Sequence, residues 1–116
     1  MTLFDERERA EELFFVRNQE LVFIAHCRAV RRFGTNVSER LGLDGATARD
    51  YSDALVDSLA HGATDETVIA RVHADLAENG IGSEIGELRA ELNRLRALVT
   101  SEMKERSARA TDIARS

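Results

Sequence analysis

The chain has 116 residues, no proline and no tryptophan, with charged residues at 32% and aromatics at 5%. An average composition would supply about six prolines, so a loop-rich sandwich, a polyproline linker and a turn-dense secreted scaffold are excluded, and the balance is that of helices. The net charge of −5 lacks the excess of a dedicated phosphate-backbone binder, while 43% hydrophobic residues suit one domain with a modest core.

In chain order, residues 1–12 come first. Glu6-Arg7-Glu8-Arg9-Ala10-Glu11-Glu12 is a strong helix former, but only Leu3 and Phe4 offer apolar anchorage. An isolated helix of this length is marginal in water. Residues 1–16 therefore read as an N-terminal arm, mobile in the free protein and helical when bound. Leu13, Phe14, Phe15 and Val16 form an unbroken apolar run. Four consecutive positions cover every side of a helix, so at least one stays exposed unless a partner covers it. Packing of the run on the bundle and docking on a partner stand as equal readings.

Without proline, glycine punctuates the remainder. Gly42, Gly62 and Gly80 each follow a run of helical periodicity, where a left-handed residue ends a helix. Asp44, Thr64 and Ser83 then suit helix starts, Thr64 best because Asp65 and Glu66 occupy the first turn behind it. The spacing predicts four helical segments, at about 4–41, 44–61, 64–79 and 83–107. In the first, Val22, Ala25, Ala29, Phe33, Val37 and Leu41 make one apolar stripe. Gly34 interrupts it at a cost of about 1 kcal/mol relative to Ala, which predicts a kink or a break there. No proline lies between Met1 and Leu41, so arm and first helix can form one continuous rod. Ala48, Tyr51, Leu55 and Leu59 share a face of the second segment, and Val68, Ile69, Val72 and Leu76 a face of the third. The fourth carries a seam of Ile85, Leu88, Leu92, Leu95 and Val99. The tail from Ser107 has no stripe, and 108–116 reads as frayed. The expected fold is all-α: a four-helix bundle-like domain over 17–107 with a mobile N-terminal helical arm.

Motifs for chemistry are missing. There is no glycine-rich phosphate loop, no His-Glu-x-x-His and no cysteine pair, so no enzyme, cofactor or metal is expected. His26 and Cys27 are adjacent, and neighbours on a helix point about 100° apart, which does not make a thiolate–imidazole pair. Asp53 and Asp57 share a helix face but lack a third oxygen ligand; a solvated acidic face is the preferred reading. Arg28, Arg31, Arg32 and Arg40 cluster against one acid, Glu39, whereas residues 44–87 are strongly acidic. The basic cluster could bind phosphate, but pairing with the acidic middle of the chain is favoured. The acidic N-terminus lacks the apolar core of a signal peptide, Leu21–Ala25 is too short to span a bilayer, and the single Cys27 needs no oxidising compartment, so a cytoplasmic location is expected.

The order Phe4-Asp5-x-Arg7-Glu8-x-Ala10, then Glu12, Phe15, Glu20-Leu21-x-Phe23, Ala25 and Arg28, resembles the zeta subunit of alphaproteobacterial F-type ATP synthases. The similarity continues through Gly34, Glu39, Leu41-Gly42-Leu43, Gly45-Ala46 and Tyr51. It reappears at Asp65-Glu66, Val72 and Asp75-Leu76, then fades in the fourth helix. The resemblance implies a four-helix, non-enzymatic regulator that inhibits ATP hydrolysis at the inner membrane. Its arm would enter an α/β interface of the catalytic head beside the γ rotor, becoming helical there as a pawl against rotation. By that carry-over Phe4, Asp5, Arg7, Glu8, Ala10, Glu12 and Phe15 are the inhibitory positions, with Leu13, Phe14 and Arg28 as secondary docking candidates. Four positions depart from the pattern: Glu11 replaces an aromatic, Leu13 and Phe14 replace a small residue and a lysine, and Asn36 replaces a tryptophan. The altered arm leaves a second reading, a non-inhibitory structural or assembly partner of the same complex. A third, nucleotide or nucleic-acid binding through Arg28, Arg31 and Arg32, runs against the net charge.

Overall fold

Asn18 starts the first helix. Its backbone is extended (φ −95°, ψ 91°) and its Oδ1 accepts from the Leu21 amide at 3.2 Å, satisfying one of the donors that a helix start leaves free. The computed structural model describes Glu6, Arg9 and residues 18–115, the last five as backbone only. Glu6 and Arg9 are helical and exposed; the expectations for the rest of the arm lie outside the described residues. Helices α1 (Gln19–Arg40), α2 (Gly45–Ala60), α3 (Asp65–Glu78) and α4 (Ile85–Arg115) follow, and no strand occurs among the described residues. The fold is an all-α helical bundle. The first expected segment, 4–41, is interrupted at Asn18, where the Asn side chain competes for the backbone and caps α1.

Helices α1, α2 and α3 end alike. At the end of α3 the Ile81 amide reaches Leu76 O at 2.9 Å and the Gly80 amide reaches Ala77 O at 3.0 Å, the paired bonds of a Schellman motif. Leu43 with Gly42, and Ala63 with Gly62, repeat both bonds at the ends of α1 and α2. The expected starts fare unevenly. Thr64 Oγ1 accepts from the Thr67 amide at 3.3 Å, as a cap should. Asp44 precedes α2 without a side-chain cap bond. Ser83 is diverted: its hydroxyl pairs with His73 Nδ1 at 2.9 Å, and α4 begins two residues later.

The core runs along α1. Ala25, Ala29, Val30, Phe33 and Val37 meet Leu55 and Leu59 of α2, Val68, Ile69, Val72 and Leu76 of α3, and Leu88, Leu92 and Val99 of α4. Helix α1 lies between α2 and α4, and α3 packs against α4. Gly34 does not break α1. It is buried where α1 crosses α2, and a Cβ on it would stand 3.0 Å from Ser52 Cα. Close approach of two backbones, rather than a hinge, explains this glycine. The tail also departs from expectation, because α4 continues through 108–115 as helix. Ala108, Arg109, Ala110, Ala114 and Arg115 are good helix formers, and no glycine or proline stops them.

Two stripe positions are exposed. Val22 is 45% exposed and Ile85 42%, because each lies at the start of its helix where neighbouring helices do not cover it.

Candidate functional site

The start of α1 is where the described structure meets the expected arm. Gln19, Val22, Phe23, Ala25 and His26 line one side of an open groove, and Arg96 and Thr100 of α4 line the other. Phe23 is 48% exposed, a high value for a phenylalanine.

Beneath the groove three helices are joined by charge. Asp65, in the first turn of α3, receives His26 Nε2 on Oδ1 at 2.5 Å and Arg96 on Oδ2 at 2.6 Å. The thread passes from α1 through the N-terminus of α3 to α4, where the helix dipole favours a carboxylate. Arg96 Nε is buried beside it without an acceptor.

The basic cluster of α1 is largely spent inside the molecule. Arg31 contacts Asp53 of α2 at 2.5 Å, and Arg32 grips Glu102 of α4 with both terminal nitrogens, at 2.5 and 3.2 Å. The hydrogen bond from Arg32 holds the Glu102 carboxyl below its ordinary range, and Arg32 itself is pushed up. The Arg31 bond is the expected pairing with the acidic middle; Arg32 goes to the C-terminal helix instead. Arg28 remains exposed on α1. A phosphate would meet two arginines already engaged, which weakens the nucleotide reading.

Other candidates resolve into structure. Asp53 takes Arg31, and Asp57 sits 3.7 Å from His61, so the Asp53/Asp57 face is engaged by basic neighbours. Among the described residues no group of three or more metal-type ligands gathers. Cys27 is half-buried against the core, and burial pushes its thiol up, which disfavours the reactive thiolate. His26 turns to Asp65, not to Cys27. Tyr51 donates to Asp75 Oδ2 at 2.7 Å, joining α2 to α3, and burial together with that bond raises its phenol well above the usual range. Asn36, where the family pattern has tryptophan, is exposed on α1 and reaches Glu91 of α4 at 3.4 Å. That departure alters the surface rather than the core.

The expected inhibitory positions Phe4, Asp5, Arg7, Glu8, Ala10, Glu12 and Phe15, with Leu13 and Phe14, lie outside the described residues. Of the expected docking residues only Arg28 is placed, and it stands apart from the residues that line the groove. The groove itself went unforeseen. Its one sequence signal was Phe23, an aromatic next to Val22 in a stripe that needed only one of them.

A protein-family model described as ATPase inhibitor subunit zeta matches residues 1–109. It continues through most of α4, where residue-by-residue similarity fades. No curated protein and no solved structure matches the chain.

Proposed function

The chain belongs to the ATPase inhibitor subunit zeta family, and from that premise we propose that it binds the catalytic head of an F-type ATP synthase and restrains ATP hydrolysis through its N-terminal arm. The observation that carries this reading is the extent of the family match, which begins at residue 1 and so takes in the arm as well as the bundle. In this reading the arm enters an interface between α and β subunits beside the γ rotor. Phe4 and Phe15 bury apolar area there, while Arg7 and Glu8 make charge-assisted contacts, with Asp5, Ala10 and Glu12 completing the matched face. The bundle is the anchor. A regulator of this kind acts by binding and does no chemistry of its own, and it sits on the cytoplasmic face of the membrane that holds the synthase. No described helix is long and apolar enough to cross that membrane.

The experiment is direct. Purified chain is added to the cognate soluble head and the ATPase rate followed. Inhibition that disappears on deletion of residues 1–15 supports the reading; no inhibition and no complex at micromolar concentration overturns it. Glu11, Leu13 and Phe14, which depart from the family pattern in the arm itself, favour one other outcome. Co-purification with the head at unchanged ATPase activity would select a structural or assembly partner.

A further inference from the structure

The first turns of α1 carry core-type residues with nothing described over them. Val22 and Phe23 precede Ala29 and Val30 by two turns and so continue the same face of the helix. Further along, that face is sealed: Ala29 and Val30 are fully buried, whereas Val22 and Phe23 are about half exposed. The groove they form with α4 holds about 340 Å³. An apolar cavity of about 150 Å³ accepts one benzene ring, so the groove has room for roughly two large apolar side chains.

The chain carries such side chains within reach. Leu13-Phe14-Phe15-Val16 ends two residues before Asn18. Asn18 is extended, so the chain leaves the axis of α1 there, and the groove opens at the next residue, Gln19. At about 3.3–3.6 Å per residue, Phe14 lies within about 14 Å of Asn18. The charges agree. Glu11 and Glu12 lead into the apolar run, and the groove is bordered by His26 and by Arg96, whose buried Nε lacks an acceptor. Among the described residues the acid that contacts those two groups, Asp65, is already engaged by both.

We propose that the run Leu13–Val16 folds back on its own bundle and seats in the groove between α1 and α4, covering Val22 and Phe23. The occupant is this chain's own segment in the free protein, and that contact stands whether or not the arm inhibits an ATPase once bound.

The chain has no tryptophan, so a Phe14→Trp variant places a single indole in the run. In the full chain its emission is expected to be blue-shifted, unchanged on dilution, and moved to the red when Val22→Ser and Phe23→Ser are added. Both serines replace half-exposed residues, and retained helical circular dichroism checks that the bundle survives. An emission that is solvent-like and indifferent to the groove overturns the proposal. A blue shift that vanishes on dilution does so too, because it assigns the groove to a second copy. Hydrogen exchange provides a check without the indole: Leu13→Ser with Phe14→Ser should speed exchange in the first two turns of α1 and leave the turns around Phe33 unchanged. Equal rates in both proteins also overturn it.

Discussion

Where α1 crosses α2, Gly34 faces Ser52 so closely that one methyl group has nowhere to go. A Cβ at position 34 would meet Ser52 Cα and Oγ at 3.0 Å and a Leu55 methyl at 3.2 Å. The Ser52 backbone and the fully buried Leu55 cannot swing aside as an exposed side chain would. Alanine improves helix propensity by about 1 kcal/mol, but overpacking a closed core costs about 1–3 kcal/mol, and the contact with backbone puts this site toward the upper end. Gly34→Ala is therefore expected to lower stability by about 1–2 kcal/mol despite the better helix former. Thermal or urea unfolding followed by circular dichroism measures it. A more stable variant would show that α1 and α2 can part at no cost and that the glycine answers to something else.

Helix ends obey a different rule. Gly80 has a φ of +72° and open space around its missing Cβ, so any penalty there is conformational and not steric crowding by neighbours. Its amide holds Ala77 O, and the next amide, Ile81, holds Leu76 O while the Ile81 side chain packs on the core. A left-handed L-residue costs about 1–2 kcal/mol, less for asparagine. Stability should fall in the order glycine, asparagine, alanine at position 80, measured by the same unfolding curves; equal values for asparagine and alanine would place the cost elsewhere. These stop signals were legible because glycine at a helix end answers to local backbone geometry, which depends on a few consecutive residues. The apolar faces of α3 and most of α4 were legible for a similar reason, since period 3.6 is a local pattern. What stayed hidden depends on contacts between distant segments. Gly34 looked like a weakness because only the position of Ser52 reveals it as a crossing point. Val22 looked like core because periodicity does not say where a neighbouring helix stops. The Asp65 carboxylate looked like a first-turn acid, and its grip on His26 and Arg96 needs α1 and α4 in place. The contacts expected of the arm lie outside the described residues.

At the scale of the whole molecule, ion pairs fasten the helices around the core in a way that ties stability to acid. Arg32 and Glu102 link α1 to α4, and Arg89 grips Glu66 through Nε and a terminal nitrogen at 2.7 and 2.8 Å, linking α4 to α3. In both pairs the hydrogen bond from arginine is the main cause that lowers the carboxyl, and burial opposes it. The sign follows. A carboxyl whose folded value lies below its unfolded value, about 4.3 for Glu, contributes stability above that range and loses it as pH falls through the lowered folded value. The pairs are solvent-exposed and screened, so each is a small effect, but both act in the same direction. Glu66→Gln with Glu102→Gln should therefore leave the neutral melting temperature only slightly lower and make its decline below about pH 5 shallower. Added salt should narrow the difference at neutral pH. Melting curves for both proteins between about pH 3 and pH 7 decide the matter. Parallel curves would mean that the two carboxylates titrate alike in the folded and unfolded chains and that these two pairs add nothing to the fastening between α1, α3 and α4.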